Sequence, residues 1–229
     1  MSYVLGFIVA DGCVYKRKDR KNSYTLNITS KDREHLLRIK KELNSNHPIS
    51  TKYNSQKMSY SQIQICDREI CKDLISLGIF PRKTYNLNPI KVTDKYFPDF
   101  VRGFFDGDGT VYIYKVNGIL QIKAGFVSSS LSFITDFSQR LCKNLGINTK
   151  TIHRTIDNRG KKRMVQFSAH FYIDDCEKLA NFMYKNNPVL YLPRKRQIFE
   201  KWKLIKRRDY KKQNYPSKIG WRLNRKILV

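Results

Sequence analysis

Acid is scarce in this chain: 19 Asp and Glu stand against 45 Lys and Arg, a formal charge of +26 over 229 residues. An excess of that size repels itself until a polyanion neutralises it, and nucleic acid is the usual polyanion. Histidine is scarcer still, with 4 copies scattered at no metal-ligand spacing. The 5 cysteines (Cys13, Cys66, Cys71, Cys142, Cys176) are odd in number and form no CxxC pair. They speak against a disulfide frame or a zinc site and read as small residues of a reducing, intracellular compartment, organelle matrix or prokaryotic cytoplasm. No apolar run approaches the roughly 18 residues of a membrane helix, and no charged leader with a cleavage site is visible. No long basic amphipathic helix suits a lipid surface either, so a membrane partner is not expected. Hydrophobic residues make up 41%, which supports a packed core rather than disorder.

The little acid there is has been placed twice in the same setting. From Tyr3 the chain reads YVLGFIVADGCV, and from Phe100 it reads FVRGFFDGDGTV. Gly6 and Ala10, like Gly103 and Gly107, sit one helical turn apart and share a face. Small residues there let two helix backbones approach closely. The C-terminal ends then lie side by side and bring Asp11 to Asp108, with Gly12 and Gly109 expected to turn the chain away at positive φ. Two carboxylates facing each other at the negative ends of two helix dipoles repel. A divalent cation resolves that conflict, drawing oxygen ligands from the carboxylates and from the adjacent carbonyls of Ala10 and Gly107. A lone Asp-Gly commonly just ends a helix. The matched second copy, in so basic a chain, favours a metal site suited to phosphodiester hydrolysis.

The rest of the chain repeats with the motif. After the first Asp-Gly come strand patterns around Val14 and from Tyr24 to Thr29, and then a helix from Lys31 to Leu43 with Asp32 as its expected cap. Strands at Ile49–Tyr53 and Tyr60–Ile65 and a helix from Arg68 complete the first half. The second half runs through a hairpin at Asn117-Gly118, a helix ended by Gly146, strands near 149–155 and 163–171, and a helix from Asp174. Each half therefore reads αββαββα, and the fold class is α+β with antiparallel sheets. The boundaries are residues 1–84 and 100–202 for the halves, 85–99 for a linker and 203–229 for a basic tail of low periodicity.

These paired stretches resemble the motifs of LAGLIDADG homing endonucleases in their single-chain, two-motif form. The resemblance implies a monomeric saddle of two antiparallel sheets straddling double-stranded DNA, with the motif helices as its central seam. It implies that Asp11 and Asp108 hold two or three Mg²⁺ ions at the scissile phosphates, with Mn²⁺ able to substitute and Ca²⁺ binding without cleavage. Family members place a lysine beside the metals near the end of each half. FPRK and LPRK supply Lys83 and Lys195 at matching places. The family's polar residue on the second strand corresponds to Asn27, and Lys123 is the candidate in the second half. The sixth motif position departs from the pattern, being Val9 in one copy and Asp106 in the other. Asp106 is therefore expected to make a local structural bond.

Hydrogen-bonding side chains on the strands supply the expected DNA contacts: Arg17, Thr25, Asn27, Gln62, Gln64, Tyr112, Tyr114, Gln121, Lys123, Arg154 and Gln166. A β-ribbon fits the major groove, where Gln and Asn pair with adenine and Arg with guanine. The halves differ in sequence and length, so the preferred site is asymmetric. Two other readings share the fold: an RNA-binding maturase acting on its own intron RNA, and a DNA-binding protein that has lost cleavage. A pure binder has no need to hold two repelling carboxylates together.

Overall fold

A computed structural model of the chain describes residues 1–17, 23–54, 56–80, 86–157 and 164–214. The first half runs α1 (Ser2–Asp11), β1 (Gly12–Lys16), β2 (Tyr24–Ser30), α2 (Arg33–Glu42), β3 (Ile49–Tyr53), β4 (Ser59–Ile65) and α3 (Arg68–Ser76). The second runs α4 (Phe97–Asp108), β5 (Thr110–Val116), β6 (Ile119–Ser128), α5 (Leu131–Leu145), β7 (His153–Asp157), β8 (Met164–Tyr172), α6 (Ile173–Tyr184) and α7 (Pro193–Asn214). Each half carries one antiparallel four-stranded sheet, ordered β1-β2-β4-β3 and β5-β6-β8-β7. This is the expected α+β repeat.

Local chemistry explains these elements. α1 buries Tyr3, Val4, Phe7, Ile8 and Val9 around its whole circumference, as a helix enclosed by protein must. Alternation puts Leu26, Ile28, Ile63 and Ile65 of β2 and β4 into the first core, each at most 1% exposed. The second core is aromatic instead: Phe104, Phe126, Phe133 and Phe137 meet at ring-centroid distances between 4.9 and 5.8 Å. Asn117 at φ 49° and Gly118 at φ 81° form the tight hairpin turn, and Gly146 at φ 60° ends α5.

Four expectations change. Gly12 and Gly109 do not adopt positive φ; their φ values are −91° and −76°, with extended ψ. They are glycines for space, because a Cβ on residue 12 would stand 2.6 Å from the Ile8 carbonyl, and one on residue 109 would strike Phe105. Asp32 precedes α2 without capping it by its side chain; its carboxylate accepts from Arg194 at 3.1 Å. The segment read as a linker is packed: Leu87 and Ile90 are buried, the Leu87 carbonyl accepts from Ser130 at 2.6 Å, and α4 already begins at Phe97 with Pro98 in its first turn. The tail is not irregular from residue 203, because α7 continues to Asn214.

Candidate active site and nucleic-acid face

α1 and α4 cross with their backbones in contact. A Cβ on Gly6 would meet the Phe100 carbonyl and the Phe104 amide, and one on Gly103 would meet the Tyr3 carbonyl and the Phe7 amide. Near the C-terminal ends, a Cβ on Gly107 would strike Ala10, and Asp11 Oδ2 lies 3.5 Å from that position. The Asp11 carboxylate thus reaches across to the end of the opposite helix, which Asp108 terminates. Both aspartates are half-buried.

Beneath these ends sits Lys195, only 6% exposed. Its ammonium donates to the carbonyls of Phe105 (2.6 Å), Asp106 (2.8 Å), Gly107 (3.3 Å) and Gly109 (2.6 Å). The Asp106 and Gly107 carbonyls lie in the last turn, where a helix runs out of amides, whereas the Phe105 carbonyl also accepts from the Gly109 amide at 2.8 Å; a cation there suits the helix dipole. Burial pulls this ammonium down to about 8, opposed by Asp106, Asp11 and Asp108. Lys195 thus lies against the end of α4, as a clamp on that helix rather than a solvated charge. It also shares the Gly107 carbonyl that was expected to face a metal. Lys83 lies outside the described residues.

Asp106 makes long-range rather than local bonds. Its Oδ2 accepts from the Tyr3 hydroxyl at 2.7 Å and the Leu192 amide at 2.8 Å. His35 Nε2 lies 2.9 Å from the same hydroxyl, whose proton is committed to Asp106, so Nε2 is the donor. Burial raises the Asp106 carboxyl to about 6 against these donors and lowers His35 to about 4.

The sheet faces turned away from the helices carry most of the expected contacts. In the first sheet Asn27 pairs across with Cys13 and Gln64, and Gln62 with Thr29, all opposite in parity to the core residues. In the second, Tyr112 pairs with Lys123 and Tyr114 with Gln121; Gln166 pairs with Thr155. Two residues do not serve. Thr25 lies on that face but is 1% exposed, covered where its hydroxyl meets Cys66 Sγ at 3.4 Å. Arg154 pairs with Phe167 and so lies on the helix-side face, away from Gln166. The register also moves one assignment: the second-half equivalent of Asn27 is Gly125, not Lys123, because each stands opposite the residue two after its motif aspartate. Missing from the sequence reading were His170 and His153, with rings 5.4 Å apart on the same face. Neither has a motif to mark it; only the strand register could have found them.

Among the described residues no group of three or more His, Cys, Asp or Glu could hold a metal. The seam instead offers two carboxylates, backbone carbonyls and the buried, unpartnered Asn27 Oδ1, all hard oxygen donors. That set fits Mg²⁺, which is commonly held by one or two carboxylates with phosphate and water completing its shell.

Comparison with known proteins agrees with this architecture. A LAGLIDADG-like domain is matched over residues 1–77 and 99–183. The chain belongs to this LAGLIDADG family. An uncharacterised protein of Methanocaldococcus jannaschii is 26% identical over 181 residues, which cover 79% of this chain and 60% of that protein. The chain thus spans about three fifths of that relative's length. Among solved structures, the LAGLIDADG homing endonuclease I-GzeII in complex with its DNA target superposes with a TM-score of 0.56 at 15% identity, covering 93% of this chain and 92% of that one. I-DmoI in complex with DNA and Ca superposes with a TM-score of 0.52 at 13% identity, covering 90% and 96%. At such identities the likeness establishes the homing endonuclease fold. No helix among the described residues is long and apolar enough to cross a membrane.

Proposed function

We propose that this chain is a site-specific endonuclease that cuts both strands of a long, asymmetric DNA target by metal-dependent hydrolysis. The observation that carries the reading is the delivery of the Asp11 carboxylate across the seam to the end of α4, where Asp108 lies, within a chain of charge +26. Asp11 and Asp108, with carbonyl oxygens at Ala10 and Gly107, would hold Mg²⁺; Mn²⁺ would substitute, and Ca²⁺ would bind without turnover. A metal held there would supply hydroxide near neutral pH and stabilisation of the attacking and leaving oxygens.

The chain's own residues do the rest. Lys195 fixes the end of α4 and sets positive charge behind the reacting phosphates, where negative charge develops. Lys83 is proposed for the matching role in the first half. Asn27, whose Oδ1 is buried with no protein partner among the described residues, is proposed to serve the first-half site. Arg17, Gln62, Gln64, Tyr112, Tyr114, Gln121, Lys123 and Gln166 read bases and grip phosphates from the open sheet faces. A single chain with both halves acts as a monomer, and unlike faces imply an asymmetric target. I-GzeII and I-DmoI, bound to DNA, support the choice of partner.

Cleavage selection on a randomised DNA library with Mg²⁺, beside a Ca²⁺ arm, tests this directly. Specific double-strand cuts in Mg²⁺ alone are expected. Asp108→Asn should abolish them, by more than about 10³-fold, and leave binding in place. Undiminished cutting by that variant removes Asp108 from the chemistry, and binding without cutting in the wild type leaves a DNA-binding protein.

A further inference from the structure

The row of side chains next to each motif aspartate is built differently in the two halves. In the first sheet the row is Cys13, Asn27, Gln64 across β1, β2 and β4. In the second it is Thr110, Gly125, His170 across β5, β6 and β8. Cys13 and Thr110 each stand two residues after the aspartate, so the rows are equivalent.

In the first row Gln64 turns aside and donates to the Tyr15 hydroxyl at 3.0 Å, and Asn27 Oδ1 is buried with no partner among the described residues. In the second row Gly125 contributes no side chain, and the neighbouring strand fills its place. His170 Nδ1 lies 2.7 Å from where a Cβ on residue 125 would stand. Any larger residue at 125 would displace the ring. The other ring nitrogen, Nε2, lies 3.1 Å from Ser168 Oγ, whereas Nδ1 is buried with no protein partner among the described residues. A buried polar group left without a hydrogen bond is costly to the fold. Its recurrence at equivalent places in two differently built rows calls for a common cause. Burial, with Lys123 and His153 nearby, lowers His170 to about 4 and keeps the ring neutral. A neutral imidazole has one donor and one acceptor, so it can give and take one hydrogen bond where a carboxamide can give and take two. A turn about the soft Cβ–Cγ torsion, giving up the Ser168 contact, would carry Nδ1 from Gly125 towards the groove.

We propose that His170 is the second half's counterpart of Asn27: supplied from the third strand over a side-chain-free Gly125, it presents a ring nitrogen to a phosphate oxygen or attacking water on one DNA strand. The inference rests on the nuclease reading above and deepens it. Its test follows each strand of the selected target with separate labels. His170→Ala should slow one strand by about tenfold or more and accumulate a nicked intermediate, and Asn27→Ala should slow the opposite strand. His170→Gln should stay within about threefold of wild type. Gly125→Asn combined with His170→Ala rebuilds the first half's row and should restore cutting of the slowed strand. Target binding in Ca²⁺ should be unchanged in all of them. Independently of cleavage, the Nδ1 resonance of ¹⁵N-labelled His170, assigned by its loss in His170→Gln, should shift when target is added in Ca²⁺. Equal rates on both strands for His170→Ala, or equal slowing of both with weakened binding, overturns the proposal, as does an unmoved Nδ1 resonance. A wild type that binds and cuts neither strand sinks the nuclease reading alone, and the resonance shift still decides whether His170 meets DNA.

Discussion

Two equivalent pairs of positions on α1 and α4 carry opposite chemistry. On one side Tyr3 of α1 donates to Asp106 of α4. At the matching positions of the repeat stand Phe100 and Val9, 1% and 3% exposed and wholly apolar. What the halves keep in common is the glycine contact that sets the backbones and the aspartate that ends each helix. Polarity around that frame is free to diverge where most of the added polar atoms find partners, Asp106 Oδ1 and His35 Nδ1 excepted. The polar side does so by recruiting His35 from α2, the Leu192 amide and, through the field of Lys195, α7. It thereby ties the last helix to the seam, which the apolar side cannot do.

The sharpest way to break the comparison is to make the polar side like the other. Asp106→Val strands the Tyr3 hydroxyl and the Leu192 amide and removes the buried counter-charge of Lys195. We expect a loss of about 4 kcal/mol in denaturant unfolding. Adding Tyr3→Phe and His35→Leu should recover part of it, since replacing a bonded set by apolar groups costs less than orphaning one member. A loss below about 1 kcal/mol would mean that Asp106 is as dispensable as Val9.

The glycine frame, by contrast, should respond alike on both sides. Gly6→Ala and Gly103→Ala each push a Cβ into the carbonyl of the facing helix, at Phe100 and Tyr3. Backbone cannot yield as a flexible side chain does, so each should cost about 3 kcal/mol. Markedly unequal losses in parallel melts would show that the seam is not the shared element of the repeat.

The seam and its aspartates were legible in the sequence because both signals are short-range and occur twice. Helical and strand periods carried the element order and most of the register. The destinations of Lys195 and Asp106 were not legible, because their partners lie far along the chain and are largely backbone carbonyls and amides, which no residue type marks. Thr25 shows a related blind spot: strand parity placed it on the open face, but what covers it, Cys66, comes from beyond β4. Parity failed for Arg154 because β7 pairs in a register its own short pattern does not determine. The offset between Asn27 and Gly125 follows from strand and turn lengths in two unequal hairpins.

His35 gives the polar side a pH dependence that the apolar side lacks. Its folded-state value is about 4 against an ordinary 6.5, so the neutral ring is the form the fold accepts. The cause is burial, opposed by Asp32; Arg38, Arg194 and Lys195 add to it. Stability from this group is complete above pH 6.5 and is lost as pH falls towards 4, because the unfolded chain binds the proton first. Between pH 7 and pH 5 the loss should be about 2 kcal/mol. The difference between wild type and His35→Gln, melted across that range, separates this group from the carboxylates. A constant difference would place the proton on His35 in both states.

The smallest expected effect concerns how α7 meets the first half. Asp32 stands at the start of α2, and two roles compete for it. A capping carboxylate satisfies helix amides, and its loss costs about 1 kcal/mol almost regardless of salt. In the structure the carboxylate instead faces Arg194 of α7, at 3.1 Å from Nη2 and 3.3 Å from Nε, with the Arg194 side chain 58% exposed. A pair so open to solvent is worth about 0.5 kcal/mol and fades as salt screens it. Asp32→Ala should therefore destabilise the chain by about 0.5 kcal/mol at low salt and by almost nothing at about 1 M. A larger loss that ignores salt would return Asp32 to α2 and leave α7 held at the seam by the Lys195 ammonium and, just before the helix, by the Leu192 amide on Asp106.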